Sequence, residues 1–152
     1  MRQNSFALQV REWADKVAKR SDIAIQDLML SLARTVDERS PVGQPALWKN
    51  PPPKGYVGGH FRGNWQFSIG APANGEIPGV DPSGAKTLGR IQAEIKSARM
   101  GQVLYLVNNV PYAVPLEYGY SRQQPAGIVG RTAIEFNSIL RASVERAKAA
   151  TP

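Results

Sequence analysis

Phe6, Val10, Trp13 and Val17 recur at steps of four, three and four, which places them on one face of an amphipathic helix. A second series follows at Ala24, Leu28, Leu32 and Val36. One straight helix over residues 4–39 would be about 54 Å long at 1.5 Å per residue. A compact domain of this length is roughly 35–40 Å across. The pattern therefore predicts a break, a bend or a protruding end. Ser21-Asp22 is the expected break, because Ser21 can cap a new helix and Asp22 and Asp27 suit its early turns. Ser40-Pro41 closes the region, since the residue before a proline is pushed out of the α region.

Residues 41–63 read as a long loop, with Pro41, Pro45, Pro51, Pro52 and Pro53 interleaved with glycines. Its aromatics Trp48, Tyr56 and Phe61 require burial, on the domain itself or on a neighbour. Asn64–Ile69 alternates with period two, so Trp65, Phe67 and Ile69 share the covered face of a strand. Residues 70–84 form a second Gly/Pro-rich loop. Ala85–Ala98 predicts a helix with Leu88, Ile91, Ile95 and Ala98 on its stripe and Gly101 as its stop. The near-continuous apolar run Val103–Val107 predicts a central strand covered on both faces. A third strand is expected near Tyr112–Pro115 or Gly79–Pro82, because two strands alone make a poor sheet. Residues 126–149 predict a last helix, its stripe formed by Val129, Ala133, Phe136, Leu140, Val144 and Ala147.

The expected class is α+β. A small, mostly antiparallel sheet is packed by an N-terminal, a middle and a C-terminal helix, in one domain spanning residues 1–152. At 152 residues such a domain buries enough surface to fold without staples, and the absence of cysteine excludes disulfides. The opening Met-Arg-Gln-Asn-Ser-Phe has no apolar core of a signal peptide. The longest uncharged run, Met100–Leu116, is interrupted by two prolines, so no membrane span or membrane partner is expected.

The net charge of +7 raises the question of a nucleic-acid partner. The basic residues are dispersed, however, and the nearest thing to a block is Lys16, Lys19 and Arg20. Candidate chemistry is sparse. His60 is the sole histidine and lies in Gly-Gly-His-Phe-Arg-Gly, away from any nucleophile elbow. One histidine and no cysteine cannot supply a usual zinc site. Gly55–Gly63 lacks the Gly-Lys-Ser/Thr ending of a phosphate loop. Glu76, Asp81 and Glu117 remain as carboxylates that could pair in space. No catalytic residue, metal or cofactor is therefore assigned, and the expected role is non-enzymatic.

Glu117 stands out, set in Pro-Leu-Glu-Tyr-Gly among Leu116, Tyr118 and Tyr120. A carboxylate among aromatics needs a partner if buried, and the candidates are Arg62 and Arg122, within or between subunits. The alternative is an exposed charge at a turn.

Three segments in series carry a resemblance. They are Ser40-Pro41-Val42-Gly43 with the loop to Phe61-Arg62-Gly63-Asn64-Trp65-Gln66, then Tyr105–Ala113 with Leu116-Glu117-Tyr118-Gly119, and then Ser121–Val129 opening the last helix. In order and spacing, over roughly residues 4–150, the chain resembles the tail-completion (neck, head-to-tail joining or tail terminator-like) proteins of tailed bacteriophages and prophages. Where many relatives have a short Val-Asp-Thr-Gly link, Val42–His60 supplies a longer Trp/Pro/Gly loop. The resemblance implies a structural virion protein of the neck or tail, assembled in the host bacterial cytoplasm. Its subunits form a homo-oligomeric ring, often a hexamer, that terminates the tail tube or joins it to the head connector. Implied partners are other copies of itself, connector or adaptor proteins, the tail tube protein and the phage DNA in the lumen. No catalytic residue comes with it. Trp48, Tyr56, Phe61, Arg62, Glu117, Tyr118, Tyr120 and Arg122 are the expected interface residues. The competing expectation is a basic DNA-binding or packaging accessory protein.

Overall fold

The computed structural model describes residues 3–48 and 50–152. Met1 and Arg2 of the segment read for a signal peptide, and position 49 of the first loop, lie outside the described residues. The fold is α+β: five α-helices and a two-stranded antiparallel sheet among the described residues.

Helix α1 runs unbroken from Gln3 to Arg39. The expected break at Ser21-Asp22 does not occur. No proline or glycine interrupts the segment, and a lone serine does not outweigh the helix formers on either side of it. The Asp22 carboxylate caps no helix; it accepts the Met100 amide at 2.8 Å and faces Arg99 at 3.5 Å. The excess length emerges instead as a protruding end, and every residue from 5 to 19 is exposed.

Strand β1 (Trp65–Ile69) pairs with β2 (Leu104–Asn108), with Trp65 opposite Asn108, Phe67 opposite Leu106 and Ile69 opposite Leu104. The alternation in β1 falls as predicted, with Trp65 and Phe67 buried and Ile69 half-buried. Strand β2 is not central. Among the described residues it has β1 as its single neighbour and is half-buried throughout, and neither predicted third strand forms. Helix α2 (Ala85–Ile95) covers the sheet through Ile91 and Ile95 and stops before Gly101, while Ala98 stays buried just beyond it. Its Arg90 donates to the Trp65 carbonyl at 2.8 Å. The two-stranded sheet is stable because a helix packs on it, not because it is wide. The core joins Phe61, Trp65, Phe67, Ile91, Ile95 and Val110 to Met29, Ala33 and Val36 of α1 and to Ile128.

After β2 come α3 (Ala113–Glu117), α4 (Val129–Ile134) and α5 (Phe136–Ala150). The predicted last helix is thus split at Glu135, and its stripe is only half right. Val129, Ala133 and Phe136 are exposed, whereas Thr132, Ser143 and Ala147 are buried. The split shifts the register, so that small residues face α1 and let the two helices approach closely. Phe136, expected in the core, is 39% exposed.

Helix α5 lies antiparallel to α1 under three clamps. Arg39 donates to Thr132 Oγ1 at 2.9 Å and Glu135 Oε1 at 2.7 Å. Arg146 reaches both Asp27 oxygens, the shortest contact 2.6 Å. Arg20 holds Thr151 Oγ1 at 2.9 Å and the Thr151 carbonyl at 2.5 Å. Partial burial pushes Asp27 up, but the hydrogen bonds and charge of Arg146 more than offset it, so its pKa lies below the usual carboxylate value. Where α5 ends, beside Arg20, the cover on α1 ends as well.

Candidate functional site

Ser40 begins the site. Its hydroxyl donates to the Val36 carbonyl at 2.7 Å and accepts the buried Trp65 indole N–H at 2.7 Å. The end of α1 is thereby locked to the start of the sheet, and the chain leaves at Pro41 over the mouth of the core. Phe61 packs edge-on to Trp65, with centroids 5.8 Å apart, and tilted against Tyr112 at 6.4 Å. Trp48 and Tyr56 meet edge to face at 4.6 Å, within the ordinary range for aromatic pairs. Opposite them, the corner after α3 is tied back by Gln123, whose amide donates to the Val42 carbonyl at 3.0 Å.

Between these two loops lies an open groove of about 510 Å³. Leu47, Trp48, Tyr56, Tyr112, Leu116 and Tyr120 form most of its apolar wall, and Arg122 stands in its lining. Burial, chiefly, raises the Tyr112 pKa above its ordinary value, and the Glu76 charge adds to it, so this phenol stays neutral. The groove suits aromatic or aliphatic side chains better than a charged substrate.

The predicted interface residues divide. Trp48, Tyr56, Tyr120 and Arg122 converge on the groove, and Tyr118 is exposed nearby in the chain. Phe61 belongs to the core and also lines the groove. Arg62 also points inward, donating to the Asp37 carbonyl at 2.9 Å and the Pro82 carbonyl at 2.8 Å.

Glu117 pairs with neither arginine and is not a free charge at a turn. Its Oε2 accepts the amides of Ile128 and Val129 at 2.9 and 2.8 Å, and its Oε1 accepts that of Gly130 at 2.8 Å. Partial burial pushes its pKa up, but the three backbone donors more than compensate, leaving it below the usual value. The carboxylate caps the start of α4 from another element, satisfying N–H groups that a helix end leaves without partners. Gly127 makes room for it, at a φ of 79° where a side chain would also strike the Glu117 carboxylate and carbonyl.

Nor do the three carboxylates pair. Glu76 takes His60 Nε2 at 2.9 Å, and Asp81 Oδ2 accepts the Thr87 amide and hydroxyl at 2.8 and 2.9 Å. His60 Nδ1 meets the Gly79 carbonyl at 2.8 Å, so both ring nitrogens face acceptors. That arrangement raises the His60 pKa, the Gly79 carbonyl contributing most and Glu76 next. With both ring nitrogens engaged, His60 fastens the second loop. Asn64 fastens it further, donating to Ile77 O at 3.1 Å and accepting the Ile77 amide at 2.7 Å.

Asp37 escaped the sequence reading. Its side chain is buried, its Oδ2 is 3.6 Å from Arg62 Nε, and its Oδ1 has no hydrogen-bond partner among the described residues. Burial raises its pKa to about 6, Arg62 opposes that, and Asp81 and Glu38 reinforce it. Gly84 packs against this carboxylate so closely that any side chain there would collide with it. An acidic residue at the end of a helix looks like a solvated charge in sequence, and no local pattern could have marked it otherwise.

Among the described residues no group of three His, Cys, Asp or Glu side chains is placed to hold a metal ion. No described helix is long and apolar enough to cross a membrane. No protein-family model, curated protein or solved structure matches this chain.

Proposed function

We propose that this chain is a structural subunit of a tailed-phage neck or tail, forming a ring at the head-tail junction that completes the tail tube and joins it to the head connector. The observation that carries the reading is the series of three resembling segments in the order and spacing of tail-completion proteins. The geometry supports it by giving those segments one common task. The first supplies Ser40, Phe61 and Trp65 around the core mouth. The second supplies the Glu117 carboxylate, and the third supplies the amides that it caps. The three converge on a rigid frame around an aromatic groove, which is the character of a docking surface. His60 and the candidate carboxylates are engaged in holding loops and helix ends. The net charge of +7 suits a subunit near DNA phosphates or an acidic neighbour.

Deleting the gene from its phage or prophage tests this. The expected result is filled heads and unjoined tails by electron microscopy, and the protein itself in purified wild-type particles by mass spectrometry. Particles that lack the protein, or that remain fully infectious without its gene, would overturn the reading.

A further inference from the structure

Helix α1 carries an apolar stripe that none of the described residues covers. Phe6 is 72% exposed and Trp13 66%, with Val10 and Val17 exposed between and beyond them. Ordered aromatic contacts of this size bury about 150–250 Å² per side chain, so the stripe leaves on the order of 400 Å² of apolar surface in water. One side of a standard protein interface is about 800 Å², a little over half of it apolar. The stripe alone thus matches the apolar share of one partner's side. The spacing of four, three and four is that of a helix laid along a partner, not of a solvated helix.

The same chain holds a groove of matching character, between Trp48, Tyr56, Tyr112 and Tyr120. The stripe cannot reach it within one molecule. The groove begins at Pro41, just past the end of α1, and Trp13 lies near the other end of that unbroken helix. The separation along the axis is about 40 Å at 1.5 Å per residue. A ridge and a receptor at opposite ends of one rigid element engage only between molecules. The contact is then heterologous, the type that closes into rings when the rotation allows.

We infer that the N-terminal arm of one copy, through Phe6, Val10 and Trp13, docks into the aromatic groove of a second copy of this chain. Closure of such contacts into a neck ring rests on the proposed function, whereas the contact itself does not.

The chain has no cysteine, so engineered disulfides report the contact cleanly. Gln9 borders the stripe, Leu8 lies on the opposite face of the arm, and Arg122 stands at the groove. Full-length Q9C and R122C proteins, purified separately, mixed and mildly oxidised, are expected to give a mixed disulfide dimer at least tenfold above that from L8C with R122C. Adding Trp13→Ala to Q9C should remove most of that dimer and leave the melting temperature of the dilute protein unchanged. A Q9C–Q9C dimer as the main product would show arm-to-arm pairing and overturn the proposal. So would the absence of any mixed dimer at high protein concentration, or a Trp13→Ala melt lowered by more than a few degrees, which would place the arm on its own fold. A mixed dimer from a protein absent from virions would retain the contact and remove the neck reading. Joined virions containing the protein, without the crosslink, would do the reverse.

Discussion

Asp37→Asn should make this protein more stable at pH 8 and flatten its response to mild acid. The buried carboxylate has a pKa of about 6 against an ordinary 3.8, because burial and the nearby Asp81 and Glu38 outweigh the attraction of Arg62. A raised carboxylate pKa means that the folded state holds the proton more tightly than the unfolded chain. The associated stability is fully present below the ordinary carboxylate value and is lost as the pH rises through about 6. Holding the ionised form at pH 8 costs on the order of 2–3 kcal/mol, from about two units at 1.36 kcal/mol each. Acidification from pH 8 to 5 recovers about 1.4 kcal/mol of it. For a domain of this size that is a rise in melting temperature of about 3–6 °C. His60 titrates in the same direction, since its raised pKa gives stability that fades as the pH climbs past its folded value. Asp27, Asp81 and Glu117 are all held below the usual carboxylate range, so they do not titrate in this window. Melts of the wild type, Asp37→Asn and His60→Gln, read by circular dichroism between pH 5 and 8 at fixed ionic strength, separate the two groups. Asp37→Asn should melt about 4–10 °C above the wild type at pH 8 and lose most of the acid gain. A variant that melts at or below the wild type at pH 8 would show that the Arg62 pair outweighs burial, and the argument would fail.

Trp65→Ala should cost about 3–5 kcal/mol, because it empties the core centre and strips the Ser40 hydroxyl of its indole donor. Phe136→Ala should cost less, about 1–2 kcal/mol, since that ring is only partly covered, 39% exposed; equal denaturation midpoints for the two variants would refute the assignment of the core. Glu117→Ala should cost about 1–3 kcal/mol by leaving three amides without their acceptor. Its deficit should shrink as the pH falls below the ordinary carboxylate range, because a depressed pKa gives stability that is lost on protonation; a deficit constant down to pH 2 would contradict the capping role. Binding to duplex DNA, titrated from low to physiological salt, tests the accessory-protein alternative. The neck reading expects weak, sequence-independent retention that falls with salt, and tight binding at physiological salt would favour the alternative.

Local periodicity carried most of the fold. The β1 alternation and the α2 stripe are properties of short windows, and both elements bury the residues that their spacing selects. What failed depended on partners far along the chain. Ser21-Asp22 has the chemistry of a helix start, but Asp22 is used by the Met100 amide, a partner that no local window contains. In the last helix the stripe is real from Leu140 onward and fails before Glu135, where the start of α4 is set by Glu117 instead of by its own sequence. A helix whose first turn is fixed from outside need not keep the register that its hydrophobic residues would choose. Exposure of Val129 and Phe136 is the consequence.

The same distinction explains the site. Trp48 and Tyr56 were selectable from sequence because aromatic residues in a Pro-rich loop lack a local reason to be there, and both line one groove with Tyr120 and Arg122. Glu117 and Arg62 were selected for the same kind of reason, charge among aromatics, yet both are spent on backbone groups of their own chain. Charge in a sequence announces that a partner is needed and not which one. A carboxylate is satisfied as well by three amides as by a guanidinium, and amides carry no sequence signal. An apolar aromatic has no such substitute on its own backbone. The exposed aromatics, Trp48 and Tyr120 at the groove and Phe6 and Trp13 on the arm, are therefore the better guide to where the proposed partner copy would dock.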